Sequence, residues 1–368
     1  MDTPQISKNS LTYWQLVRIR FMRNRFGMVG AILVFLVVFF GIFAPFLSPY
    51  TEIRTDTNHQ YFPPQSVHFF DEDWNFHLRP FVNGVSEEMD PETYELTFKP
   101  DDKQKFFFKF FIDAEPWNFL GLEFATRLFG VDVSKGEYMY LWGTDNLGRD
   151  VLSRTLIGTR ITLLMAFTVV AISALIGVII GVCSGYFTGQ FDLITQRIVE
   201  FVTAFPDLPL YLALLALLPR RADPTLVFTM FAGILVLLRW AAFSREIRGM
   251  VISISSLDYV RSAEALGASR PRILFRHIVP NTTSQIIVWV TYQLPEVMLL
   301  ESFLSFLGVG VQPPMVSWGS MLNQILDFQS FNAAPWMMAP VGMIALTVLA
   351  FNAMGDGLRD AVDPYSDK

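Results

Sequence analysis

Charge is scarce in this sequence, and so are the side chains that build most catalytic centres. Only 17% of its 368 residues are Asp, Glu, Lys or Arg, against about a quarter in an ordinary soluble domain. The one cysteine, Cys183, excludes a disulfide framework and a Cys-built zinc site. Four histidines are present, His59, His68, His77 and His277, and the first three fall nine residues apart. That spacing puts no two on one helical turn, so they are expected at the surface and no metal motif is assigned. No Gly-x-x-x-x-Gly-Lys-Ser/Thr and no Gly-Lys dipeptide occurs, so the chain has no phosphate-cradling loop of its own. No nucleophile–base set suggests a membrane-embedded enzyme.

What the sequence has in quantity is apolar residues, 52% of the chain, gathered into long runs. Runs of about 20 apolar residues are what a helix needs to cross about 30 Å of hydrocarbon. Six such spans are read, at 26–47, 161–186, 194–218, 225–243, 285–306 and 335–354, which predicts an all-α polytopic membrane protein. Cys183 falls inside the second and reads as a small packing residue. The first run is too long for a signal-peptide core and no small-residue cleavage site follows it. Lys8, Arg18, Arg20, Arg23 and Arg25 precede it and place residues 1–25 in the cytoplasm. Six spans return the C-terminal tail, 357–368, to the same side. The loop after the fourth span is then cytoplasmic too, and its Arg245, Arg248, Arg261, Arg270, Arg272 and Arg276 agree. Arg220 and Arg221, in a short outer loop, do not.

Between the first span (26–48) and the core (141–356) lie residues 50–140, too polar and too interrupted to cross a membrane. From Tyr50 to Asp150 there are 19 acidic and 9 basic residues, a net of −10, while the rest of the chain carries 15 acidic and 19 basic, a net of +4. This predicts a small extracytoplasmic insertion containing β structure, with a hairpin over 94–112 turning at Pro100-Asp101-Asp102. An acidic insertion on a mildly basic body points to no nucleic acid.

The loop 257–281 carries the strongest functional signal. Tyr259 to Leu266 reads as a short helix closed by Gly267, a favoured cap residue. Pro271 opens a second helix, and Ile273, Leu274, Ile278 and Val279 give it an apolar face suited to a partner's groove or to the headgroup layer. Within the spans, Glu200 and Asp207 flank Phe205-Pro206, Glu296 follows Pro295, and Glu301, inside the fifth span, opens the stretch that runs to Pro314. Intramembrane acids are costly and mark candidate pathways or gates, or else they satisfy backbone groups freed by the prolines.

The loop resembles the cytoplasmic coupling loop of bacterial ABC-importer permeases, Glu-Ala-Ala, three residues, Gly, then Ile-x-Leu-Pro further on. Ala263, Gly267 and Pro280 match outright. Arg261, Ser262, His277 and Val279 replace the Glu, the first Ala, the Ile and the Leu, and Glu264 lies about one turn from the missing acid. Three further stretches resemble the oligopeptide/dipeptide/nickel branch: Gly143-Thr-Asp-Asn-Leu-Gly-Arg-Asp-Val-Leu-Ser-Arg154, Glu301 to Pro314 followed by Ser317-Trp-Gly-Ser-Met-Leu322, and Phe351 to Pro364. Thr144, Asp145, Asn146 and Gly148 also read as a cap for the helix entering the second span. One span, an extracytoplasmic segment and five more spans is the layout of the second (C-type) permease of such systems. The 50–140 insertion is longer than the family's usual linker.

The resemblance implies an inner-membrane subunit that pairs with a homologous second permease. It further implies a binding protein outside and two ATPase subunits inside, which hold ATP and Mg. Tyr259, Arg261, Ser262, Ala263, Glu264, Gly267, Ala268 and Ser269 would dock the ATPase. Peptides are the implied cargo, with oligosaccharides or nickel carried by some relatives. The competing reading, an ion-coupled secondary transporter using Glu200, Asp207, Glu296 and Glu301 as its relay, calls for internal repeats, and none is seen.

Overall fold

The computed structural model describes residues 12–89, 96–119, 121–219, 222–326 and 334–363. Arg220, Arg221 and the last residues of the tail lie outside them. Contacts divide the chain into two units, one drawn from Met1–Leu36, Leu164–Leu300 and Leu346–Lys368, the other from Val37–Leu163 and Glu301–Ala345.

In chain order the helices begin with α1, Tyr13–Arg23, an amphipathic helix whose Val17 and Phe21 pack on Ala361 and Val362. Tyr13 Oη donates to the Val362 carbonyl (3.2 Å) and Arg20 Nη1 to that of Asp363 (2.9 Å). These donors satisfy carbonyls that the C-terminal helix leaves without an intrahelical partner. Next come α2, Arg25–Ile42, the short α3, Ala44–Leu47, and, beyond the insertion, α4, Val151–Phe187. Then follow α5, Gly189–Thr203, α6, Asp207–Ala216, and α7, Pro224–Ser255. The loop contributes α8, Asp258–Ala265, and α9, Arg270–Ile273. A π-helical turn, Leu274–Ile278, leads into α10, Val279–Phe306, and the chain ends with α11, Trp318–Asn323, and α12, Ala339–Val362.

Among the described residues five helical segments are long and apolar enough to cross a membrane: Arg25–Ile42, Val151–Phe187, Pro224–Ser255, Arg270–Phe306 and Pro335–Val362. The expected third span is not one helix. Helices α5 and α6 meet at an 80° bend and make a sixth crossing only if the bent pair counts as one. Pro206 lies at the break, where it cannot donate the N–H a continuous helix needs.

One packing signal in the sequence escaped the reading of spans. Gly177, Gly181 and Gly185 recur every four residues and form one stripe along α4. An added Cβ would stand 2.8 Å from Phe243 Cδ1 at the first, 2.8 Å from Ile247 Cβ at the second, and 2.8 Å from the Arg248 carbonyl oxygen at the third. Small residues at this spacing let helices approach in lipid, where apolar side chains gain little by leaving the surrounding tails. Gly30 plays the same part toward α12, its absent Cβ leaving room for Ala353 at 2.9 Å.

The second unit contains the insertion. Strands β1, Val67–Phe70, β2, Phe76–Met89, and β3, Leu96–Phe107, form an antiparallel sheet in the order β1-β2-β3, and β4, Lys109–Phe119, pairs antiparallel with β5, Leu122–Gly130. The expected turn at Pro100-Asp101-Asp102 is not there. Strand β3 runs through it, with Val85 opposite Pro100, Gly84 opposite Asp101 and Asn83 opposite Lys105, so the surplus residues form a bulge. Proline survives there because β3 is an edge strand. The histidines are not plain surface residues either. His59 Nδ1 lies 2.7 Å from Asp56 and its ring 4.2 Å from that of Tyr138, and His77 Nε2 lies 3.1 Å from Asp71.

Arg127 ties β5 to the segment that follows the first span. It is 2% exposed, and its Nη1 donates to the carbonyls of Ser48 (2.8 Å), Tyr50 (2.9 Å) and Pro45 (3.3 Å). Hydrogen bonds to a charged group contribute about 1.5–3 kcal/mol each, and removing the donor leaves the carbonyls buried and unmet. Arg127→Ala is therefore expected to destabilise this unit by about 3 kcal/mol. The check is thermal unfolding followed by protease cleavage within the insertion, where a midpoint equal to wild type would remove Arg127 as the anchor.

Candidate functional site

Helix α8 starts after Leu257 and stops by a cap that the sequence spells out. Gly267 sits at φ +78°, its N–H bonds the Glu264 carbonyl (2.9 Å), and the Ala268 N–H bonds that of Ala263 (3.0 Å). This is the Schellman arrangement, which needs a left-handed residue after the helix. Within the chain, a side chain at Gly267 would meet nothing within 4 Å. The cost of replacing it is thus conformational and not steric.

Val260, fully buried, holds α8 in a cluster with Phe243, Ile247 and Val251 of α7. Ile273, Leu274 and Ile278 join the same cluster. This corrects the expected partner-facing side of the second helix: those residues turn inward, and the second helix continues through the π turn into α10. The apolar residues left outward are Leu266 (87% exposed), Phe275 (75%), Leu257 and Tyr259. Arg261, Ser262, Glu264 and Ser269 are exposed beside them, and Ala263 and Ala268 are half-buried. Glu264 accepts from Tyr186 Oη at 3.0 Å, and Asn281 Nδ2 reaches Tyr259 Oη at 3.1 Å. Behind the loop, Asp192 receives Arg248 Nε at 2.5 Å and Nη2 at 2.6 Å, a two-pronged clamp between α5 and α7.

The four intramembrane acids do not form one constellation. Glu200 is exposed and pairs with Arg197 on its own helix at 2.9 Å. Asp207 opens α6 immediately after the bend and is exposed. Glu296 Oε2 accepts from Arg239 Nη1 of α7 at 2.8 Å, and the same Nη1 bonds Gln293 Oε1. Tyr211 of α6 is buried beside Arg239 and feels the charges of both Asp207 and Glu296.

Glu301 belongs to the second unit and is fully enclosed. It accepts from Ser305 Oγ (2.7 Å), Thr162 Oγ1 (3.3 Å) and Ser302 Oγ (3.4 Å). Ser305 Oγ in turn accepts from the Val311 N–H (3.0 Å), Thr162 Oγ1 accepts from the Trp318 N–H (3.2 Å), and Trp318 Nε1 donates to the Thr155 carbonyl (3.1 Å). Glu301 thus braces the 307–317 return loop onto α4.

The motif before α4 folds around Asp145. Its Oδ1 accepts the N–H groups of Leu147 (2.9 Å) and Arg149 (3.0 Å), and its Oδ2 accepts Arg149 Nε (2.8 Å) and Arg154 Nη1. The helix cap is Asp150, not the Thr144-Asp145-Asn146 stretch, with Oδ2 accepting the Ser153 N–H at 2.8 Å. Burial, with the nearby Asp145 charge adding to it, pushes the Asp150 carboxyl up to about 6 from 3.8.

A raised carboxyl pKa makes the folded state hold its proton more tightly than the unfolded chain. The stability this confers is complete below about pH 4 and is lost as pH rises through about 6. Asp71 and Asp132, held near 2 by hydrogen bonds led by those from His77 and Lys109, act with the opposite sign, but only below the ordinary carboxylate range. Asp150→Asn keeps a good cap residue. It is expected to flatten the fall in thermal midpoint between pH 4.5 and 7 and to raise the midpoint at pH 7, a gain of about 2 kcal/mol. Parallel wild-type and variant curves across that window would contradict it.

Comparison with known proteins accords with this geometry. The family model for the binding-protein-dependent transport system inner membrane component matches residues 173–366. The model for the N-terminal TM domain of oligopeptide transport permease C matches residues 12–64. The oligopeptide transport system permease protein OppC of Bacillus subtilis (strain 168) is 31% identical over 364 residues, 99% of this chain and 93% of that protein. The dipeptide transport system permease protein DppC of the same organism is 29% identical over 365 residues, 99% and 89% of the two chains. The glutathione transport system permease protein GsiD of Pectobacterium atrosepticum is 40% identical over 223 residues, 60% of this chain and 71% of that one. The two Bacillus matches extend over nearly the whole of this chain.

Proposed function

Because this chain belongs to the family of binding-protein-dependent transport system inner membrane components, we propose that it is the C-type permease subunit of an ATP-driven importer of peptides. The reading rests on the exterior of the coupling loop. A rigidly anchored helix, capped at Gly267, presents Leu266, Phe275 and Tyr259 to the outside of the chain next to Arg261, Ser262 and Glu264. Exposed apolar residues on a short helix rimmed by charge fit a groove in another protein. The partner is a cytoplasmic ATPase, two copies of which bind ATP and Mg, since this chain has no loop for them. A homologous second permease completes the pore and an extracytoplasmic binding protein delivers cargo. Peptide cargo follows the oligopeptide, dipeptide and glutathione permeases it resembles. Both termini lie in the cytoplasm, with the bent α5–α6 pair as the third of six crossings.

Leu266→Asp and Phe275→Asp are expected to leave membrane insertion intact while reducing ATPase co-purification at least tenfold. Gly267→Pro, which cannot reach a positive φ, should abolish substrate-stimulated ATP hydrolysis. In vesicles, uptake should follow internal ATP and persist when the proton gradient is collapsed. Uptake that died with the gradient while ATP was ample would make the chain a secondary transporter.

The acidic insertion receives the binding protein, its charge guiding the encounter across a Debye length of about 8 Å at physiological salt. Asp73, Asp113 and Glu123 are exposed on it. Converting all three to their amides should leave the complex assembled, weaken docking severalfold at low salt and reduce its salt dependence. Unchanged docking and an unchanged salt slope would count against the insertion as receptor.

A further inference from the structure

The polar island shared by α6, α7 and α10 is the feature that the docking of partners does not account for. Arg239 lies near the middle of α7 and Glu296 well inside α10, both in segments long and apolar enough to span a membrane. The pair is lopsided. The Arg239 side chain is 18% exposed, hemmed in by Gln293, Glu296 and Tyr211, whereas the Glu296 side chain is 60% exposed. Only Oε2 of Glu296 is engaged, and Oε1 has no hydrogen bond among the described residues. Asp207 presents a second exposed carboxylate to the same island.

An open carboxylate at that depth cannot face lipid without a cost of several kcal/mol. It must face a water-filled route or another polar group. Two carboxylates against one guanidinium leave the island with a surplus negative charge, so the visitor it suits is a cation that donates hydrogen bonds. We propose that Glu296 Oε1, with Asp207 beside it, receives the N-terminal ammonium of the peptide in transit, and that Arg239 positions Glu296 without touching cargo. This rests on the peptide-import reading, which supplies the cargo. Every linear peptide with an unblocked amino end brings that ammonium, whatever its side chains, so such a contact serves a carrier of varied sequences.

The test exploits the peptide's own titration, since an α-amino group loses its proton near pH 8. The assembled transporter in proteoliposomes, with its binding protein and internal ATP, takes up one neutral-side-chain tripeptide at pH 6.5 to 9. The readout is the ratio of Glu296→Gln to wild-type initial rate at each pH, from which effects of pH on the binding protein and ATPase cancel. The other groups facing the site are Asp207, Tyr211, Arg239 and Gln293, and all are common to both proteins. The ratio is expected to be near one tenth at pH 6.5 and to climb toward one at pH 9, with Glu296→Asp recovering much of the rate at pH 6.5. A ratio that stays flat with pH overturns the proposal, because a merely structural defect does not sense the cargo's proton. Loss of the second permease from the purified variant also overturns it, since Glu296 would then belong to the subunit interface. Failure of the peptide-import reading is distinguishable, because the wild-type complex would then take up no tripeptide at any pH.

Discussion

A polar group that enters a bilayer must bring its hydrogen-bond partner with it, because no water waits there to satisfy it. That constraint makes the spans helical and also decides where every polar side chain in them can sit. Thr159 bonds back to the Thr155 carbonyl at 2.9 Å and Asp192 meets Arg248 from a neighbouring helix, while the buried Ser173 hydroxyl of α4 has no partner among the described residues. Glu301 is the extreme case. It spends its acceptors on three hydroxyls, two of which also accept backbone N–H groups from the return loop and the start of α11. A buried carboxyl braced in this way fixes a loop. A charge exposed within a span, like Glu296, has no such use inside its own chain.

The same constraint removes the ordinary driving force for helix association, and shape takes its place. The glycine stripe of α4 lets α7 approach to backbone contact, and α7 then extends past the apolar region to carry α8. Phe243 and Ile247 belong to α7, Val260 to α8 and Ile273 to α9, and all four close one cluster. The loop 257–281 is therefore a stiff extension of the helices and not a tether. The outward Leu266 and Phe275 are the residues that this inward packing leaves over.

Much of this was legible in the residues. Apolar run length located the membrane helices, Gly267 announced its cap, and separated motifs around Gly143–Arg154, 257–281 and Glu301–Leu322 pointed to one permease family. The misreadings have physical causes. Pro100-Asp101-Asp102 has the composition of a turn, but whether such a stretch turns or bulges depends on the strand opposite, and Gly84 on β2 accommodates the surplus. The apolar face Ile273, Leu274, Ile278 was correctly seen as buried in something, yet periodicity cannot say whether the cover is a partner or α7.

By itself the sequence determined the membrane class, the five unbroken apolar helices, the acidic insertion and the family, because each depends on local composition or on short motifs. Tertiary structure alone decided which of the acids is enclosed and which is open. Glu200, Asp207, Glu296 and Glu301 look alike as carboxylates near prolines or span ends. Their partners come from 3 residues away for Glu200, 57 for Glu296 and 139 for the Thr162 contact of Glu301. Enclosure depends on elements far away in sequence as well as on near neighbours such as Ser305, so no window of neighbouring residues contains the information that separates an enclosed acid from an open one.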